Sequence, residues 1–141
     1  MSARTTLFVT ADTVGGVWQY ATTLTGALAP RGYDVTLALL GPAANAAQRR
    51  QAEALPGLTL IDTGLPLDWL AAGSDEVRRT AATIAALVRE TGADLVQLNQ
   101  PALAVARASV PTIAVVHSCV ETWWRAGNRQ RGLVELDEIR A

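Results

Sequence analysis

The feature that most limits what this chain can become is the run from Thr10 to Tyr20, where the adjacent glycines Gly15 and Gly16 join a strand-like segment to a helix-like one. Upstream, Leu7-Phe8-Val9 is short, apolar and partly β-branched, which suits a strand covered on both faces. Downstream, Val17, Tyr20, Ala21, Leu24 and Leu28 recur at three- and four-residue intervals, which predicts one buried helix face. Two readings of the glycines stand side by side. In one they make a tight turn, adopting positive φ at no steric cost. In the other they let a ligand reach the backbone in front of the free N–H groups of the helix start. The third glycine of the dinucleotide fingerprint and the Gly-Lys-Ser/Thr of a phosphate loop are both missing, so neither of those motifs applies.

The same alternation continues along the chain. Pro30-Arg31-Gly32 closes the first helix, with Gly32 as its C-cap, and Tyr33 to Leu40 has strand composition ended by Gly41-Pro42. Residues 43–55 are alanine-rich with interspersed polar residues and predict a surface helix, stopped by Pro56-Gly57. Leu58 to Ile61 is a third strand. Asp62 to Gly73 reads as a loop in which Trp69 packs rather than recognises a ligand. Ser74-Asp75 predicts an N-cap pair for a long helix with the stripe Val77, Ala81, Ile84, Ala85, Leu87 and Val88, ended by Gly92. Asp94 to Leu98 is a fourth strand, Ala102 to Arg107 a short helix and Pro111 to His117 a fifth strand. The pattern is α/β: a single doubly wound parallel sheet of about five strands. In such sheets ligands bind at the carboxyl ends of the strands, near the reversal of strand order. That rule selects loops 12–16, 41–42, 62–70, 99–101 and 117–125.

Composition narrows the function classes. The chain has 141 residues, half of them hydrophobic and 18% charged, with a formal net charge of −1, which excludes a disordered or polyanion-binding profile. A single cysteine, Cys119, cannot form an internal disulfide, and the apolar run after Met1 to Thr6 is too short for a signal peptide. The expected location is cytoplasmic, with no transmembrane segment.

The richest chemistry lies in Val115 to Arg125, where the only histidine, His117, ends a strand and Trp123-Trp124 follow. His117 reads either as a hydrogen-bonding or basic group facing the crevice or as a structural histidine bonded to a loop carbonyl. A Ser118/His117 nucleophilic pair is disfavoured, because neighbours on an extended chain point apart. One histidine and one cysteine do not make a zinc set, so no metal is expected.

Four motifs in order, Gly-Gly-Val-x-x-Tyr at 15–20, Arg31 to Thr36, Asp94 to Asn99 and His117-Ser118-Cys119 with Trp123-Trp124, resemble the N-terminal half of a family-4 glycosyltransferase of the GT-B fold. The similarity runs from about Thr6 to Arg125. It implies a Rossmann-like domain over residues 1–126, followed by a polar amphipathic or frayed tail over 127–141, with the family's nucleotide-binding C-terminal domain absent. It also implies a retaining, metal-independent, cofactor-free transfer of sugar from a nucleotide-sugar donor to an acceptor held on this domain. By position, His117 is then the catalytic residue of the cleft, and Gly15, Gly16, Asp12, Trp18, Asn99, Glu121 and Trp124 bind substrate. Trp18, Trp123 and Trp124 are expected to be exposed toward a partner lobe or second chain, with self-association a possible consequence. The competing class is a non-catalytic small-molecule or partner-binding module on the same scaffold.

Overall fold

The structure is a computed structural model that describes residues 3–117. Five parallel strands, β1 (Thr5–Asp12), β2 (Tyr33–Leu40), β3 (Leu58–Asp62), β4 (Leu95–Leu98) and β5 (Thr112–Ala114), form one sheet in the order β3-β2-β1-β4-β5. The crossovers are helical: α1 (Gly16–Leu28), α2 (Ala46–Glu53), α3 (Ser74–Glu90) and a 3₁₀ turn over Pro101–Val105. This is the doubly wound, Rossmann-like sheet that the alternation predicts, with the order reversing between β1 and β4.

Strand alternation divides the core in two. Phe8, Ala38, Leu40, Val96 and Leu98 point to one face, where they meet Ala81, Ile84 and Val88 of α3 and Leu103. Leu7, Val9, Ala11, Val35, Leu37 and Leu39 point to the other, against Trp18 and Ala21 of α1 and Ala52 of α2. A period of two on strands flanked by partners on both sides therefore yields two apolar faces, each covered by helices.

Several local expectations are corrected. The face that α1 buries is Trp18, Ala21, Thr22 and Thr25, one position off the stripe read from the sequence. Trp18 can fill it because the indole Nε1 donates to Gln51 Oε1 of α2 at 2.9 Å, while Thr22 and Thr25 satisfy their hydroxyls on backbone carbonyls one turn back. Trp18 is thus only 6% exposed and does not face a partner lobe. The N-cap of α3 is Gly73, and Ser74 is already helical, with no side-chain cap bond. Trp69 sits in a 3₁₀ turn (Asp68–Leu70) and is 55% exposed, whereas Leu67 fills the core place beside it. The fifth strand ends at Ala114, so His117 stands three residues beyond it rather than at its last position.

Candidate functional site

The site is built where β1 and β4 diverge. Asp12, at the end of β1, is buried, and its Oδ1 accepts from the backbone N–H groups of Val14 (3.0 Å) and Gly15 (3.3 Å). One oxygen of its carboxylate therefore holds the loop in shape. Gly15 is extended (φ −141°, ψ −154°), and neither it nor Gly16 has positive φ. The turn does not need glycine for its conformation. A Cβ at either position would meet nothing within 4 Å, so the space over the turn is open, and no side chain caps the helix start behind it. The glycines thus do not adopt the positive φ of the tight-turn reading, and their backbone is accessible.

The opposite wall comes from β4. Leu95, Gln97 and Asn99 share one side of the strand, the side that faces α1. Gln97 is 7% exposed and Asn99 5% exposed. Asn99 is tied to β1 twice: its backbone N–H donates to Thr10 Oγ1 (3.1 Å) and its Nδ2 to the Thr10 carbonyl (2.9 Å). Gln97 Nε2 donates to the Tyr20 hydroxyl of α1 (3.0 Å) and to Asn99 Oδ1 (3.3 Å). His117 reaches in from beyond β5, with Nε2 2.7 Å from Asn99 Oδ1 and its ring edge-on to Tyr20 at a centroid distance of 4.6 Å. Four polar or aromatic side chains from α1, β4 and the segment after β5 thus converge at the switch point.

Of the expected residues, the structure brings His117 into contact with Asn99, and the Gly15-Gly16 turn opens α1, the helix that carries Tyr20. Trp18 points to the opposite side of its helix, into the core. Glu121 and Trp124 lie outside the described residues, as do Trp123, Cys119 and the 127–141 tail. Sequence reasoning missed Tyr20 and Gln97. Tyr20 fits the apolar stripe of α1 by spacing alone, but its hydroxyl and its 37% exposure mark a residue at the rim. The signal for Gln97 is a polar residue inside an otherwise apolar strand, two places before Asn99.

Elsewhere on this edge the loops are held to one another. Thr13 Oγ1 donates to the Pro42 carbonyl (3.0 Å), and Gly41 N–H donates to the Leu65 carbonyl (2.7 Å). Among the described residues, none of the loops 12–16, 41–45, 62–73, 99–100 and 115–117 carries an arginine or lysine. No group of three or more histidine, cysteine or acidic side chains placed to hold a metal occurs among the described residues.

A parallel β3-β2-β1-β4-β5 sheet with its polar side chains gathered at the switch point defines a Rossmann-like α/β domain. The chain belongs to Glycosyltransferase Family 4, whose model matches residues 14–138. It is similar in fold to a glycosyltransferase from Rickettsia africae, at 15% identity and a TM-score of 0.57, over 84% of this chain and 31% of that one. It is also similar to apo UGT2 of Phytolacca americana, at 14% identity and a TM-score of 0.50, over 67% of this chain and 24% of that one. The chain therefore spans no more than about a third of these glycosyltransferases. A comparable likeness, 16% identity and a TM-score of 0.53, links it to the C-terminal domain of the PF1911 hydrogenase of Pyrococcus furiosus, over 82% of this chain and 94% of that one. At these identities the likenesses concern the fold alone. No curated protein matches the chain. Among the described residues no helix is long and apolar enough to cross a membrane.

Proposed function

We propose that this chain is the acceptor-side domain of a glycosyltransferase that moves a sugar from a nucleotide-sugar donor to an acceptor, with His117 beside the transferred sugar. The observation that carries the reading is the convergence of His117, Asn99, Gln97 and Tyr20 opposite the open Gly15-Gly16 turn. Such an edge offers hydrogen-bonding groups and bare backbone, which is what a polyhydroxylated ring needs. Retention of anomeric configuration and independence of metal belong to the proposal through the family resemblance, and a cytoplasmic location through the single cysteine.

The loops at this sheet edge, among the described residues, offer no cation to a diphosphate, so in this reading the donor's diphosphate is held by a second lobe. The fold by itself also suits a non-catalytic binding module, as its likeness to a hydrogenase domain illustrates. The polar cluster at the switch point is what favours the transferase.

The test is His117→Ala in this chain joined to the nucleotide-binding lobe of a family member, with turnover and melting temperature measured together. His117 is exposed and, among the described residues, bonded through a single nitrogen, so its loss should change stability by less than about 0.5 kcal/mol. Turnover should fall about ten- to hundredfold, the cost of about 1.5–3 kcal/mol in transition-state binding. A folded variant with normal turnover removes His117 from the mechanism, and an unfolded one makes it a structural histidine.

A further inference from the structure

The hydrogen bonds around Asn99 settle a question of chemistry that distance alone leaves open. The Thr10 carbonyl can only accept, so the Asn99 atom 2.9 Å from it is the amide nitrogen, and turning the amide over would set two oxygens against each other. Asn99 Oδ1 is then the atom facing His117, 2.7 Å from Nε2. An amide oxygen has no hydrogen to give, so the hydrogen in that contact sits on Nε2. Gln97 fits the same scheme, with one amide hydrogen on Asn99 Oδ1 and the other on the Tyr20 oxygen.

We propose that Asn99 is a positioning residue that holds neutral His117 in its Nε2–H tautomer, so that the ring meets a ligand with Nδ1 as a hydrogen-bond acceptor. The Tyr20 oxygen already accepts from Gln97, which leaves its own O–H to donate. With the two rings edge-on at 4.6 Å, the same cluster holds an acceptor on His117 and a donor on Tyr20. A ligand hydroxyl meets that chemistry by giving its hydrogen to Nδ1 or by taking one from Tyr20. Only the identity of that hydroxyl as a sugar's rests on the function proposed above. The tautomer does not.

His117 is the only histidine, so long-range ¹H–¹⁵N spectra of the histidine-labelled 141-residue chain report this ring without ambiguity. Recorded at a pH where titration in the same sample shows the ring to be neutral, they should show a single Nε2–H form with its ring proton observable. In Asn99→Leu that proton signal should be lost to solvent exchange and the ring should relax to the mixture that free histidine shows. Should Asn99→Leu fail to fold, Asn99→Ala removes the same acceptor without adding bulk and should lose the signal in the same way. A dominant Nδ1–H form in the native chain overturns the proposal. So does an Nε2 proton that persists unchanged in folded Asn99→Leu or Asn99→Ala. These spectra need no ligand, so the proposed transferase activity can fail while the tautomer stands, and the reverse.

Discussion

Gly16 and Gly41 lie on neighbouring loops of the same sheet edge, yet the chain needs them for different reasons. Gly41 has φ +74°, and a Cβ there would meet Leu67 at 2.8 Å. Gly41→Ala should therefore cost about 1–3 kcal/mol, from a left-handed backbone conformation and a crowded leucine. Gly16 has an ordinary helical start and open space around it, so Gly16→Ala should leave stability unchanged or raise it by up to about 1 kcal/mol. Urea denaturation of both variants checks the contrast, and equal losses would refute it. If the turn lies against substrate, Gly16→Ala joined to a nucleotide-binding lobe should still lose turnover. Tyr20→Phe removes only the hydroxyl that faces Gln97, and should lower kcat/KM about fivefold, the equivalent of about 1 kcal/mol. Unchanged kcat/KM would place Tyr20 outside the site.

At the scale of elements, each helix is anchored by a different device. α2 is short and polar, and it depends on a capping box in which Asn45 Oδ1 accepts from Gln48 N–H at 2.8 Å and Gln48 Oε1 accepts from Asn45 N–H at 3.0 Å. Asn45→Ala should destabilise the chain by about 1 kcal/mol, read from a denaturant midpoint; no shift would mean that packing of Ala52 alone holds the helix. α3 needs no such cap, since Ala81, Ile84, Ala85 and Val88 bury a continuous stripe. That difference explains what was legible in the sequence. The five strands, the stripe of α3 and the closing glycines Gly32 and Gly92 follow from periodicity and backbone preference, and the structure has them in place. The face of α1 was not legible, because its core-facing positions include two threonines whose hydroxyls bond backward along the helix. Spacing assigned Tyr20 to the core and left Trp18 for the surface. Only the partner Gln51, distant in sequence, reverses that assignment. The convergence of Gln97, Asn99 and His117 depends on strand register, which periodicity does not contain.

At the scale of the whole molecule, the polar edge has hydroxyl-binding chemistry and, among the described residues of its loops, no basic side chain. His117, Asn99 and Tyr20 can position a ring, while the loops of the described residues beside them hold no arginine or lysine to meet a diphosphate. The central claim is thus that this chain forms one wall of a sugar-transfer cleft and that nucleotide recognition comes from elsewhere. Calorimetric titration of the 141-residue chain with UDP- and GDP-sugars, run beside the same chain joined to the nucleotide-binding lobe of a family member, tests it most directly. The account predicts binding weaker than about millimolar, above −4.1 kcal/mol, for the chain alone, and tight binding with transfer for the joined form. A micromolar dissociation constant for the chain alone would contradict it.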